Sequence, residues 1–196
     1  MRTRDIEKEE LVKRKAIELI VKEGLENFSV NKLAKACGIS VATLYIYYKD
    51  KEDLILQICK EEAAKSGALM LENFDPEASF EEGLRQQWKN RARHMLANPE
   101  LTSFFEQLRT SAYQQVVFET FREQFRDPFG KFMENAIARG EIKPMPFEVY
   151  WSVAFGPLYA LLRFHVEGKS YGGERFQFNE GIMWQIFDYV IKGIKK

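Results

Sequence analysis

Cysteine, histidine and proline are scarce in this chain of 196 residues, which has two cysteines, two histidines and six prolines. Cys37 and Cys59 show no CxxC spacing and have no neighbouring histidine. That excludes a disulfide framework or a redox pair and leaves reduced core thiols. His94 and His165 do not sit at i, i+4 from each other or from a carboxylate in a ligand pattern, so neither a metal site nor a cofactor is expected. No apolar run approaches the ~20 residues that a membrane-spanning helix needs, and the charged start MRTRDIEKEE is not a signal peptide. A cytoplasmic protein with no membrane partner is expected. Net charge is absent too, with 29 basic residues against 29 acidic ones. The chain therefore does not coat polyanions over its whole surface, and any basic surface must be confined. The sequence also lacks G-x-S-x-G, a Walker loop, HExxH and a Cys–His pair, so nothing supports an enzyme.

What is present is helical. The chain is 45% hydrophobic and 14% aromatic, enough for a substantial core. Apolar residues recur at helical rather than alternating spacing, and there is no internal repeat or Gly/Ser-rich spacer, so the fold class is all-α. Helices are expected over 6–23, 50–73, 79–97, 99–110, 112–139, 146–167 and 174–195, besides two short ones within 29–48. The punctuation is Gly24, Asn98-Pro99, Gly140, Pro144-Met145-Pro146 and the stretch 168–173. Asp127-Pro128 is expected to kink or split its helix. Residues 1–5, with Arg2 and Arg4, read as a basic terminal arm, frayed in solvent rather than lodged in a minor groove.

The most informative stretch is SVNKLAKACGISVATLYIYYKDK, residues 29–51. Ser29 is an N-cap, after which Val30, Leu33, Ala34 and Cys37 fall at i, i+3, i+4 and i+7. Gly38 stands where a helix ends on a residue of positive φ, and Ile39-Ser40 opens a second helix. Phe28 against Leu33, and Ile39 against Leu44, satisfy the hydrophobic-staple rule where the chain enters each helix. Two stapled helices about one glycine make a helix-turn-helix. On the second helix Leu44 and Tyr48 point inward, leaving Ser40, Val41, Thr43, Tyr45 and Tyr47 for a major groove. Lys32, Lys35, Lys49 and Lys51 against Asp50, a candidate cap for the next helix, make the surface locally basic.

At these residues the chain resembles the TetR family of one-component bacterial repressors. The pattern runs from Ile17 through GLENFSVNKLAKACGISVATLYIYYKDKEDL, covering residues 6 to about 60. The resemblance implies an N-terminal three-helix DNA-binding domain, 1–50, and a C-terminal helical ligand-binding and dimerisation domain, 51–196, linked by the long helix 50–73. It implies double-stranded DNA as a partner. Phosphate-contacting roles carry over to Ser29, Ser40, Thr43, Tyr45, Tyr47 and Lys51, with Lys32 and Lys49 adding local charge. Family members often carry Lys-Gly or Arg-Gly where this chain has Val41-Ala42. The family's base-reading set therefore does not carry over, although Val41 and Ala42 can touch a thymine methyl.

In the rest of the chain, Gly156-Pro157 interrupts an apolar helix, where proline removes a hydrogen bond at a cost of ~3 kcal/mol unless the site uses it. Trp151, Phe155 and Tyr159 flank it and are nominated to line a pocket for a small apolar or aromatic effector, with Trp88, Phe105, Arg109 and Tyr113 from the middle helices. Arg91, Arg93 and Arg109 are candidates to pair with a ligand carboxylate, against the commoner surface salt bridge. Val149, Val153, Leu158, Leu161 and Leu162, then Ile182, Ile186, Tyr189, Val190 and Ile194, give the last two helices surplus apolar surface. The resemblance assigns that surface to a homodimer reading a palindromic operator. The expected function is a ligand-responsive transcriptional regulator, in the family's commoner habit a repressor. The alternative is a helical interaction or scaffold protein without an effector.

Overall fold

The computed structural model describes residues 2–195, with side chains described from residue 6 onward. Among the described residues there are nine helices: α1 (Arg2–Glu23), α2 (Val30–Cys37), α3 (Val41–Tyr47), α4 (Lys51–Met70), α5 (Phe80–Ala97), α6 (Pro99–Leu108), α7 (Gln114–Ala138), α8 (Phe147–Glu167) and α9 (Glu180–Ile194). Extended pairing among them is limited to two isolated bridges, Ile142 with Lys195 and Lys169 with Arg175.

The chain divides into two compact units that are not sequential. One comprises Met1–Lys65 with Asn98–Arg122, the other Ser66–Ala97 with Glu123–Lys196. The division expected after residue 50 therefore differs from the one that the packing draws. The cause is α6: Phe104 and Leu108 are fully buried in the same cluster as Val12, Leu33 and Ile58, so this helix belongs with the N-terminal helices.

In the first unit, Val12, Ala16 and Ile20 lie one above another along α1 and are buried. Gly24, at φ 86°, stops the helix with its amide still bonded to the Ile20 carbonyl. Gln107 Nε2 donates to the Val21 carbonyl at 3.2 Å, pinning α6 to α1. Lys13 of α1 pairs with Glu61 of α4 at 2.5 Å, and Lys65 pairs with the same carboxyl at 2.9 Å. Burial acts to raise the Glu61 pKa, but the two lysine hydrogen bonds outweigh it and hold the group below the usual carboxylate value.

In the second unit α5 is the central element, burying Phe80, Leu84, Gln87, Trp88, Asn90 and Arg91. Trp88 meets Phe187 of α9 edge to face at 5.1 Å. Its indole N–H donates to the Ala154 carbonyl at 2.7 Å. Ala154 lies in the turn before Pro157, so the tryptophan braces α8 beside its proline. Glu141 Oε2 accepts from the first α5 amide, Phe80 N, at 2.5 Å.

Several boundaries depart from expectation. The long helix ends at Met70, not 73, because Asn90 Nδ2 takes the carbonyls of Met70 and Glu72 while Asn73 turns to φ 55°. The last helix starts at Glu180 rather than 174: the Lys169–Arg175 bridge occupies the preceding segment, and Asn179 Oδ1 caps Ile182 N at 3.0 Å. α7 runs unbroken through Pro128, so the expected split at Asp127-Pro128 does not occur. The backbone of α1 is helical from Arg2, whereas Met1 and the side chains of residues 2–5, on which the basic-arm expectation rests, lie outside the described residues.

Candidate functional site

The α2–α3 pair is built by the caps read from the sequence. Ser29 Oγ accepts from Lys32 N at 3.3 Å, and Gly38, at φ 66°, returns its amide to the Lys35 carbonyl. Ser40 Oγ accepts from Thr43 N at 3.1 Å and lies 2.8 Å from Thr43 Oγ1. Phe28, Leu33, Leu44 and Tyr48 are all buried in one cluster, which sets the angle between the two helices. Burial drives the Tyr48 phenol up to about 12, against the opposing charge of Lys13, so it remains neutral. Asp50 caps α4 by accepting from Asp53 N at 2.8 Å, and Asp53 accepts from Lys49 N at the same distance.

The outer face of α3 divides the nominated residues. Ser40, Ala42 and Tyr45 are exposed and Thr43 is half-buried. Val41 and Tyr47 pack partly against the hydrophobic cluster, which reduces what they can offer a groove. Lys32 is committed to an ion pair with Glu23 at 2.6 Å and to the Asn27 carbonyl at 3.1 Å, so it enters this surface already partnered. Lys49 is exposed, while Lys51 rests 5.8 Å from the Phe28 ring centroid. The residue that sequence reading passed over is Ile46, 77% exposed beside Tyr45 at 52%. The inward pair Leu44 and Tyr48 carried the signal, since residues between two inward positions one turn apart face outward.

The seven effector-site nominees divide between the two units. Trp151, Phe155 and Tyr159 do form a run on α8, with Trp151 and Phe155 ring centroids 4.8 Å apart. Trp88 is in the same unit but is fully enclosed, its N–H committed to Ala154. Phe105 and Tyr113 belong to the N-terminal cluster, and Arg109 is exposed and paired with Glu106 at 3.2 Å. Arg93 is exposed and paired with Glu72, whereas Arg91 is fully buried among the α8 rings. His94 Nε2 lies 3.0 Å from Ser66 Oγ, and His165 Nδ1 accepts from Phe178 N at 3.4 Å.

On the last two helices, Phe147, Val149, Val153 and Tyr189 are exposed. The expected surplus is narrower than the sequence suggested: Leu158, Leu161, Leu162, Val190 and Ile194 are buried within this chain.

A protein-family model, bacterial regulatory proteins of the tetR family, matches residues 14–58, which hold α2, α3 and the start of α4. Residues 14–58 are therefore a TetR-type helix-turn-helix domain. The TetR architecture extends over the full length: a TetR-family transcription regulator of Marinobacter aquaeolei superposes with a TM-score of 0.84 at 28% identity, covering 100% of both chains. Among curated relatives, an uncharacterized HTH-type transcriptional regulator of Haemophilus influenzae is 34% identical over 89 residues, 45% of this chain and 48% of the relative. A fatty acid metabolism regulator protein of Bacillus subtilis is 33% identical over 69 residues, 35% of this chain and 36% of the relative. The match thus spans half or less of the curated relatives' length. The matched region is the DNA-binding type of helix-turn-helix that the family model describes. Among the described residues no helix is long and apolar enough to cross a membrane.

Proposed function

We propose that this TetR-type chain binds a palindromic operator as a homodimer in the bacterial cytoplasm and is released by a small effector held in its second unit, acting as a repressor. The observation that carries the DNA-binding part is the exposed α3 face. Ala42, Tyr45 and Ile46 stand free on a helix whose opposite side is locked by Leu44 and Tyr48. Hydroxyls of Ser40 and Thr43, the phenol of Tyr45 and the ammonium groups of Lys49 and Lys51 are the groups that bind phosphate oxygens. Ser29, Lys32, Val41 and Tyr47 complete the proposed surface, with the first two positioning the chain and the last two supporting α3.

Dimerisation is assigned to α8 and α9, on the exposed apolar Phe147, Val149, Val153 and Tyr189. A two-fold axis there places two recognition helices in successive major grooves, ~34–36 Å apart. The effector is proposed to bind beside Trp151, Phe155 and Tyr159 and to act on the first unit through α4 and α7, helices that both units share. It must bind the DNA-free state more tightly, by the ~1–3 kcal/mol typical of such coupling. The fatty-acid regulator of Bacillus subtilis among the relatives makes an apolar effector the first class to test.

The test is a band-shift titration of the protein's own upstream DNA against salt, with Lys51→Ala and Tyr45→Phe in parallel. A salt-dependent complex weakened by both substitutions supports the reading. No complex at low salt would return the chain to the scaffold alternative.

A further inference from the structure

Arg91 is the one charged side chain among the buried residues described, at 0% exposure, and none of the ion pairs in the second unit includes it. Its Nε donates to Tyr159 Oη at 3.1 Å and its Nη1 donates to Gln87 Oε1. Its Nη2 has no partner. Gln87 Nε2, one turn before Arg91 on the same helix, and Tyr150 Oη are also buried without a partner. The Tyr150 ring lies 6.0 Å from that of Phe155, the ring packed on the guanidinium, and the guanidinium charge opposes the rise that burial causes in the Tyr150 pKa. The rest of the surroundings is aromatic, with Phe155 at 4.2 Å, Phe125 at 5.4 Å and Trp151 at 5.7 Å from the guanidinium carbon.

Arg91 Nη2, Gln87 Nε2 and Tyr150 Oη have a shared character. Arg91 Nη2 and Gln87 Nε2 can only donate, and the one acceptor that Gln87 owns is already taken by Arg91. Tyr150 adds a hydroxyl that can donate as well. A donor surplus around a buried positive charge calls for a group that accepts only and carries negative charge. Aromatic faces attract the guanidinium through their quadrupoles but carry no net charge and accept no strong hydrogen bond. A carboxylate meets both needs, with two oxygens suited to the planar guanidinium fork. A neutral amide or alcohol brings donors of its own and leaves the charge uncompensated. The rings then define the other end of the ligand, which must be apolar. Trp151 and Tyr159 are only half-buried, so the rings beside the guanidinium reach solvent.

We propose that Arg91, with Gln87 and Tyr150, holds the carboxylate of a small organic acid whose apolar body lies against the rings packed on the guanidinium. This names the chemical class of the effector and rests on the regulator reading above.

The experiment is calorimetric titration of the full-length protein with octanoate and phenylacetate, each against its neutral amide, with inorganic phosphate as a bare anion. An acid should bind about tenfold or more tighter than its amide, as expected for a charge-assisted bidentate pair, and phosphate alone should not bind. Arg91→Met should remove the preference. Tyr150→Phe, which deletes a single hydroxyl, should weaken acid binding without changing amide binding. Ligand-free Arg91→Met should melt at the same temperature as the parent or higher, because it removes a buried charge without a counter-ion. Amides binding as well as acids, no acid binding at millimolar concentration, or a lower melting temperature for Arg91→Met would each overturn the proposal. If upstream DNA is still bound in that case, the regulator reading stands without it. Loss of DNA binding beside a clear acid preference would remove the regulator reading and leave the anion site.

Discussion

Gly83→Ala and Gly130→Ala are the same substitution in two helix interiors, and they should move stability in opposite directions. Replacing glycine by alanine in a helix gains about 1 kcal/mol from backbone entropy and solvation. At Gly130, on the exposed side of α7, an added Cβ meets nothing within 4 Å, so the gain should appear in full. At Gly83 on α5 the Cβ would lie 2.3 Å from Cε2 and 2.6 Å from Cζ of Phe132. Carbon atoms prefer ~3.5–4.0 Å, so the ring must retreat by more than ~1 Å. Phe132 has nowhere to go: it is fully buried, stacked on Phe80 at 5.7 Å and edge-on to Phe74 at 5.2 Å. Overpacking of this kind costs about 1–3 kcal/mol, which exceeds the helix gain and leaves a net loss of about 1 kcal/mol. The two variants should therefore differ by about 2 kcal/mol, several degrees in melting temperature for a chain of this length. Urea denaturation followed by far-ultraviolet circular dichroism measures the difference. Gly83→Ala stabilising as much as Gly130→Ala would refute the packing of α5 against Phe132.

Ser40→Ala removes the cap on Thr43 N and should cost about 1 kcal/mol of local stability, read as faster amide exchange in α3 together with weaker DNA binding. An unchanged exchange rate would mean that the cap does not hold the helix. The two thiols should differ: burial pushes Cys59 up to about 12, while Cys37 is only half-buried and less shifted. A thiol reagent should modify Cys37 in the native protein and Cys59 only on unfolding, so equal rates would contradict the burial. Glu61, Glu81 and Glu141 are held below their ordinary value in the folded state. Their contribution is present above the unfolded value near ~4.5 and is lost as pH falls through the lower folded values. The melting temperature should be flat between about pH 5.5 and 7 and fall below about 4.5; a rise on acidification would reverse the sign.

Local signals were legible and contacts distant in sequence were not. Ser29, Gly38, Ser40 and Asp50 declare the helix ends because each acts on the next few residues, and the structure uses them that way. The inward pair Leu44 and Tyr48 was equally plain from spacing. The place of α6 was not: nothing in Phe104 or Leu108 says that they pack with α1 rather than with the aromatic helices around them in sequence. The stop at Met70 depends on Asn90, twenty residues on, and no local pattern near residue 70 announces it. Arg91, Arg93 and Arg109 look alike in sequence, yet two are exposed ion-paired residues and one is buried without a counter-ion. Only the fold distinguishes them, because burial belongs to the assembled unit. Seven aromatic or basic residues named for one pocket accordingly fell into two places.

Footprinting of the protein on its own upstream region tests most directly whether the α2–α3 pair reads DNA as a two-fold dimer. The expected result is a protected palindrome with half-sites about one helical turn or a small multiple apart, protection that fades steeply with added salt, and loss of protection with Lys51→Ala. No protected site at low salt, or protection indifferent to Lys51→Ala and Tyr45→Phe, would contradict it.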